Sequence, residues 1–283
     1  MDHSQFTLAA LQADAPPRPD AAGLWQSKAA LRRACADALT DLDIAPDADL
    51  DVFWVPGRVE VLGKHTDYAG GHSLLIASDQ GFIMAAAARP DNVVRIRAAQ
   101  RHETASFAVT PELTPQMGTW SNYPMTVARR LAQLYRAAAA GADIAFAGDL
   151  PPAAGMSSSS ALMIATYLVL ATVNQLDQHP AYHAAITTPL QLAEYLGTVE
   201  NGQSYGPLSG DKGVGTFGGS EDHTAILTCK PGVISRYAFA PAVSKWTRPR
   251  GGPCLRHRRE RCGGGEDGNA PRSLQPCRLW PPR

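Results

Sequence analysis

Cysteine, net charge and long apolar runs are what this 283-residue chain has least of. Of its five cysteines only Cys35 and Cys229 precede residue 244. Cys254, Cys262 and Cys277 follow it at spacings that match no zinc pattern, so neither a disulfide framework nor a zinc module is indicated. The longest near-apolar run, Ala161 to Val173, falls short of the roughly 20 residues that cross a bilayer. The N-terminus, Met-Asp-His-Ser-Gln, has no basic region followed by an apolar stretch, and a signal peptide is not expected. These absences predict a cytoplasmic protein without a membrane partner. The net charge is +0, but it averages two unlike parts. Ten of the 26 Lys and Arg, and only three of the 26 Asp and Glu, lie in 244–283; this leaves 16 and 23 in 1–243. The mildly acidic body argues against a nucleic-acid partner.

What is present is ordinary for a globular chain, 45% hydrophobic and 18% charged, with length enough to bury a core. Residues 1–22 are rich in Ala, Asp and Pro and read as a loose segment. Apolar positions at helical spacing predict a helix over 24–40, with the Lys28 stem on its apolar face. Asp51 to Val55 reads as a strand stopped by Pro56-Gly57, and Val59 to Leu62 as an extended segment. Strands follow at 73–76, 81–87, 92–98 and 103–109, then helices over 120–140 and 189–201. Residues 202–220 hold seven glycines and read as loop. Ala225 to Cys229 and Val233 to Phe239 read as a hairpin pair, with Cys229 in the core. His179 and His183, split by Pro180 and without an acidic partner, read as a surface turn. The body, 23–243, is thus α+β. Past Val243 apolar periodicity vanishes and Arg, Pro, Gly and Cys dominate. Residues 244–283 read as a basic, disordered tail of the composition that a GC-rich coding sequence gives out of frame.

The chain is organised around residues 148–163, Gly-Asp-Leu-Pro-Pro-Ala-Ala-Gly-Met-Ser-Ser-Ser-Ser-Ala-Leu-Met. A strand-like run, Asp143 to Ala147, leads in, and an apolar helical run from Ala161 leads out. A helix opening on serines behind a glycine presents unpaired N–H groups and the positive end of its dipole, a place for an anion. A serine-capped helix behind a surface loop needs one serine; four in a row exceed that need. A Walker A loop is excluded, because Gly63-Lys64 is followed by His65 and lacks the earlier glycine.

Two further polar stretches have no evident structural purpose. One is Pro56-Gly57-Arg58-Val59-Glu60-Val61-Leu62-Gly63-Lys64-His65-Thr66-Asp67-Tyr68-Ala69-Gly70-Gly71. The other is Gly215-Thr216-Phe217-Gly218-Gly219-Ser220-Glu221-Asp222-His223-Thr224-Ala225-Ile226. Taken singly, Arg58 reads as a solvated strand-end charge, Asp67 as an Asx turn, Asp222 beside Glu221 as a solvated acidic corner, and Glu200 as a helix-end residue. In this order and together with the serine loop, the stretches resemble the galactokinase branch of the GHMP small-molecule kinases over residues 50–240.

The resemblance implies the GHMP kinase N-terminal fold (ribosomal protein S5 domain 2-like) and an ATP-dependent sugar kinase. Asp222 would be the base that activates the sugar hydroxyl, with Arg58 as its electrostatic partner. Pro151, Ala154, Gly155, Met156, Ser157, Ser158, Ser159 and Ser160 would hold ATP. Mg²⁺ would be met by Ser159 and Glu200, and the sugar by Lys64, His65, Asp67 and Gly219. Sugar and ATP are the partners implied, and a monomer is expected. A non-catalytic sugar or nucleotide sensor on the same fold is the alternative.

Three departures from the family pattern bear on these expectations. Lys64 stands where the signature has a glutamate; an ammonium only donates where a carboxylate accepts, which favours a sugar bearing a carboxylate or phosphate over galactose. The interval from Glu200 to Asp222 is longer than in typical relatives. No Gly-rich closing motif follows Phe239, so the C-terminal domain is expected to be largely missing and turnover by this chain to be weak or absent.

Overall fold

The computed structural model describes residues 6–13, 22–135, 139–151, 154–230, 232–239 and 243–247. A short strand β1 (Phe6–Thr7) and helix α1 (Leu8–Gln12) come first. The segment read as loose is therefore anchored over these residues, with Leu8 and Leu11 buried and Thr7 Oγ1 capping the helix at Ala10 N, 3.1 Å.

The helix expected over 24–40 is broken in two, α2 (Ala22–Ser27) and α3 (Ala29–Thr40), at Lys28. The Lys28 ammonium is drawn inward. It donates to Asp79 O at 2.6 Å and Asp149 Oδ2 at 2.5 Å, and lies 4.7 Å from the Trp54 ring centroid. A buried ammonium needs such partners, and meeting them overrides helical continuity.

β2 (Asp49–Leu62) and β3 (His72–Ala88) then run antiparallel as two long strands. The expected stop at Pro56-Gly57 is a bulge instead. The register shifts between Pro56 and Arg58, and the strand continues past it with a new direction for Arg58. β4 (Val93–Ala98), β5 (Glu103–Ala108), α4 (Asn122–Tyr135) and β6 (Ala142–Gly148) follow. After β6 come α5 (Ser158–Val173), α6 (Pro180–Ala185) and α7 (Pro189–Asn201). α8 (Glu221–Thr228), β7 (Ile234–Ala238) and β8 (Val243–Thr247) complete the described chain.

The sheet runs β1-β2-β3-β6-β4-β5, with β7 beside the first residues of β3 and β8 beside β7. Only the β4–β6 pair is parallel among the pairings described. Strand alternation sorts the core into two layers. Val55, Met84, Ala86, Ile96, Ile144 and Phe146 face the layer filled by α4, α5 and α7. Trp54, Ile83, Ala85, Ala87, Ala145 and Ala147 face α1 and α3. α5 is apolar on all sides because it lies within the first layer, with Met163, Ile164 and Val169 at most 1% exposed. Each such fully buried side chain contributes about 1.5–3 kcal/mol.

Two expectations near the end of the body are corrected. Residues 225–229 are not a strand: Ala225 to Thr228 belong to α8, whose acids Glu221 and Asp222 occupy its first turn. Carboxylates at that position favour a helix start, and the apolar β-branched run behind them conceals it. Cys229 is the C-cap of that helix and only partly buried. Second, Val243–Thr247 pairs with β7 across the boundary drawn at 243/244. Residues 248–283 lie outside the described residues. No helix among the described residues is long and apolar enough to cross a membrane.

Candidate active site

Three elements converge at one end of the sheet. The bulge in β2 turns Arg58 toward the loop that leaves β6. Arg58 Nε and Nη2 lie 2.7 and 2.6 Å from Asp222 Oδ1, in the first turn of α8. Its Nη1 donates to Gly155 O at 2.5 Å, and its backbone N–H donates to Met156 O at 3.3 Å. One guanidinium thus ties the serine loop and the Asp222 carboxylate together, as its planar fork of donors permits. Gly57 makes the close approach feasible, since a Cβ there would lie 2.5 Å from Leu150 Cδ2 and 2.8 Å from Met156 O.

The loop itself turns through two left-handed residues, Gly155 (φ +66°) and Ser157 (φ +56°). Ser157 is the N-cap residue of α5, yet its side chain caps nothing. The first N–H groups of α5 consequently lack both intrahelical acceptors and a side-chain cap. A non-glycine residue held at positive φ costs of order 1 kcal/mol, so the surroundings impose it. Arg58, Asp222, Pro151 and residues 154–159 line a cleft of about 290 Å³ in front of this helix start. Ala153, also expected in the loop, lies outside the described residues.

The third element is the turn after β2. Asp67 Oδ2 accepts the Glu221 N–H at 3.1 Å, and Oδ1 accepts the Tyr68 N–H at 3.2 Å. Gly219 packs so tightly on the Asp67 carboxylate that a Cβ there would fall on Oδ2. His65 stacks on Tyr68, centroids 5.7 Å apart, and its Nδ1 is 2.9 Å from the Tyr68 hydroxyl. Partial burial, and then the carboxylates of Asp67, Asp222, Glu221 and Glu60, raise the Tyr68 pKa above its usual value. Phe217, largely exposed, lies 6.5 Å from the Tyr68 ring. Lys64 is exposed in the same turn and has no ion pair among the described residues.

Of the residues singled out in the sequence, Arg58, Asp222 and the serine loop share the cleft; Asp67 reaches the start of α8 through the Glu221 N–H, and Gly219 packs on its carboxylate just ahead of that helix. Ser160 and Glu200 do not line it. Ser160 is buried and its Oγ donates to Glu200 Oε2 at 3.1 Å. His223 Nε2 is 3.3 Å from the same oxygen, and burial pushes the His223 pKa down, leaving it neutral. Sequence reasoning passed over three residues here. Asn201 exchanges hydrogen bonds with the Gly218 backbone and so fixes the strand of loop before Gly219. His223 backs Glu200. Glu221, read as a solvated corner, is only 5% exposed, and burial next to Glu60 and Asp67 pushes its pKa up to about 8. The one available signal for it was two acids opening an otherwise apolar helix.

Comparison with known proteins agrees with this arrangement. Residues 46–88 match the galactokinase galactose-binding signature, and residues 122–207 match the GHMP kinases N terminal domain. A galactokinase from Haemophilus influenzae (strain PittEE) is 30% identical over 179 residues, 62% of this chain and 44% of that protein. One from Roseiflexus sp. (strain RS-1) is 31% identical over 192 residues, 67% of this chain and 46% of that protein. In fold, the chain is similar to the crystal structure of Lactococcus lactis galactokinase complexed with galactose. The TM-score is 0.61 at 22% identity, covering 75% of this chain and 51% of that one. The chain spans about half the length of the curated relatives it matches. Fold and matched segments together define a GHMP kinase N-terminal domain. Within that superfamily the chain is similar to the galactokinases, by its signature segment and its relatives.

Proposed function

We propose that the protein is an ATP-dependent sugar kinase of the galactokinase type, passing the γ-phosphoryl group of ATP to a sugar hydroxyl. One juxtaposition carries the reading: the Arg58–Asp222 pair, at 2.6 Å, opens onto the same cleft as the uncapped start of α5. The N–H groups there suit phosphate oxygens, and the positive end of a 16-residue helix adds to the attraction. Gly155, where a Cβ would meet nothing within 4 Å, leaves the loop open to a ligand of that size.

In this reading the sugar hydroxyl approaches Asp222, which orients it and accepts its proton. Arg58 holds the Asp222 carboxylate in place and faces charge on the transferring group. Positioning and electrostatics of this kind supply most of the catalysis in phosphoryl transfer. Asp67, with both oxygens already aligned by backbone donors, and the Gly219 backbone would hold the sugar, with His65 stacked beside them. Among the described residues no group of three or more His, Cys, Asp and Glu could hold a metal ion. Of the two expected oxygen donors Ser159 lines the cleft, whereas Glu200 is held by Ser160 and His223 outside it; Ser159 would thus meet Mg²⁺, which commonly takes few protein ligands and retains water and phosphate oxygens. Bound there, Mg²⁺ would neutralise phosphate charge. Lys64, exposed and unpaired, favours an acceptor sugar that carries a carboxylate or phosphate.

The test is ³¹P NMR of the chain with ATP, Mg²⁺ and a panel of neutral sugars, uronic acids and sugar phosphates. Transfer to an acidic sugar, abolished by Asp222→Asn while ATP still binds, is expected. Failure to bind ATP overturns the reading, and ATP binding without transfer to any sugar favours a sensor.

A further inference from the structure

The Glu221 carboxyl group is buried where no charge is welcome. The residue is only 5% exposed, and its Oε1 has no hydrogen-bond partner among the described residues. From β2 it faces Glu60 and Arg58, from the sugar-side turn Asp67, and from β3 Ser73. On its own helix Asp222 and His223 follow it; from α7, Glu200 is turned to His223 rather than to Glu221. Arg58 is the one cation among these groups, and its guanidinium is already held by Asp222 and Gly155 O, with Glu60 4.0 Å away. Ser73 is placed to hydrogen-bond the carboxyl and so works against the upward shift, but its hydroxyl also lies 3.1 Å from Gly63 O, an acceptor that competes for its one hydrogen. The positive end of α8 favours a buried anion by at most about 2 kcal/mol, below the several kcal/mol that an unpaired buried carboxylate costs.

We propose that Glu221 is a positioning residue that works as a neutral carboxylic acid: uncharged, it lets Glu60, Asp67 and the first turn of α8 pack together, so that Asp222 stays aligned with Arg58. Without charge on Glu221, three carboxyl groups on three elements can share one small volume. Its backbone N–H holds Asp67 Oδ2, which puts the residue in direct contact with the sugar-side turn. On ionisation, Glu60, Asp67 and Glu221 would carry like charges with no added cation, and the start of α8 would be pushed away. The pKa pushed up to about 8 by burial and by Glu60 and Asp67 places that event in the mildly alkaline range. This packing is a property of the chain whether or not it is a kinase; its bearing on Asp222 as a base rests on the proposed function.

The experiment is a pH titration of the full chain, from 5 to 10, labelled with ¹³C at the Glu carboxyl and ¹⁵N at the backbone. Glu221 is assigned by its loss in Glu221→Gln. A Glu221 carbon midpoint near 8, with the Asp67 and Asp222 amides moving at the same midpoint in the parent and not in Glu221→Gln, is expected. In thermal melts the sign is fixed by linkage. The folded chain keeps a proton that the unfolded chain releases above about 4.5, so the stability it gives is full below that pH and lost by about 8. Glu221→Gln lacks this dependence, and its Tm should gain on the parent by about 10–20 °C over that interval, then hold level. A midpoint near 4.5, or amides that ignore the titration, overturns the proposal. Where Glu221→Gln does not fold, loss of the same carbon in Glu221→Asp supplies the assignment, and the parent's ¹³C titration still decides the proposal. None of these readouts uses ATP, so their failure is separate from failure of the kinase reading.

Discussion

Removing the Arg58 side chain tests the corner where β2, the serine loop and α8 meet. In Arg58→Ala, Asp222 loses contacts at 2.7 and 2.6 Å, and Gly155 O loses its donor at 2.5 Å. Hydrogen bonds to charged groups contribute about 1.5–3 kcal/mol each, but the two to Asp222 share one oxygen and count as one interaction. The Asp222 side chain is 31% exposed, so water partly replaces the guanidinium, and the 3–5 kcal/mol typical of breaking a fully buried pair is too high. The expected loss is about 2–3 kcal/mol for Arg58→Ala, of which about 1–2 is coupling to Asp222. Urea unfolding of the parent, Arg58→Ala, Asp222→Asn and the double variant closes the cycle. Isothermal titration with an ATP analogue on the same four proteins reads the loop. Arg58→Ala should weaken nucleotide binding more than Asp222→Asn does, because only the arginine touches Gly155. A coupling energy below about 0.3 kcal/mol, within the additivity error for independent sites, would refute the reasoning.

Gly219→Ala should displace the Asp67 carboxylate, because a Cβ would fall on Oδ2. A loss of about 1–3 kcal/mol in stability and weaker sugar binding with unchanged nucleotide binding are expected, read by thermal melts and calorimetry. Asp149→Ala would strip the buried Lys28 ammonium of its 2.5 Å partner and Gly81 N of its 2.8 Å acceptor, just ahead of the serine loop. It should cost about 3 kcal/mol, and Lys28→Met added to it should restore part of that loss.

How much of this was legible in the sequence depended on the range of the interaction. α7 is found from Pro189 to Asn201 as read, because its signals are local: the Thr188–Gln191 capping box and Pro189 in the first turn. The helix leaving the serine loop was legible for the same reason. Pro56-Gly57 misled, since the cue for a strand stop is identical to the cue for a bulge until the partner strand is known. Lys28 could be read as an apolar stem but not as a break, because Asp149 lies 121 residues away. α8 was misread because its β-branched, apolar body outweighed its acidic first turn. In the site, motif order singled out Arg58 and Asp222, which periodicity alone would have left as surface charges. Glu221 was out of reach, because its burial is made by Glu60, Asp67 and Ser73 from other elements, and no spacing rule carries that information.

The central claim is that a nucleotide's phosphates lie against the start of α5 within reach of Asp222. Chemical-shift perturbation by a non-hydrolysable ATP analogue, with and without Mg²⁺, tests it most directly. The account predicts the largest shifts at the amides of residues 154–160, at Arg58 Nε and at Asp222. Binding that leaves those signals in place and moves another surface would contradict it.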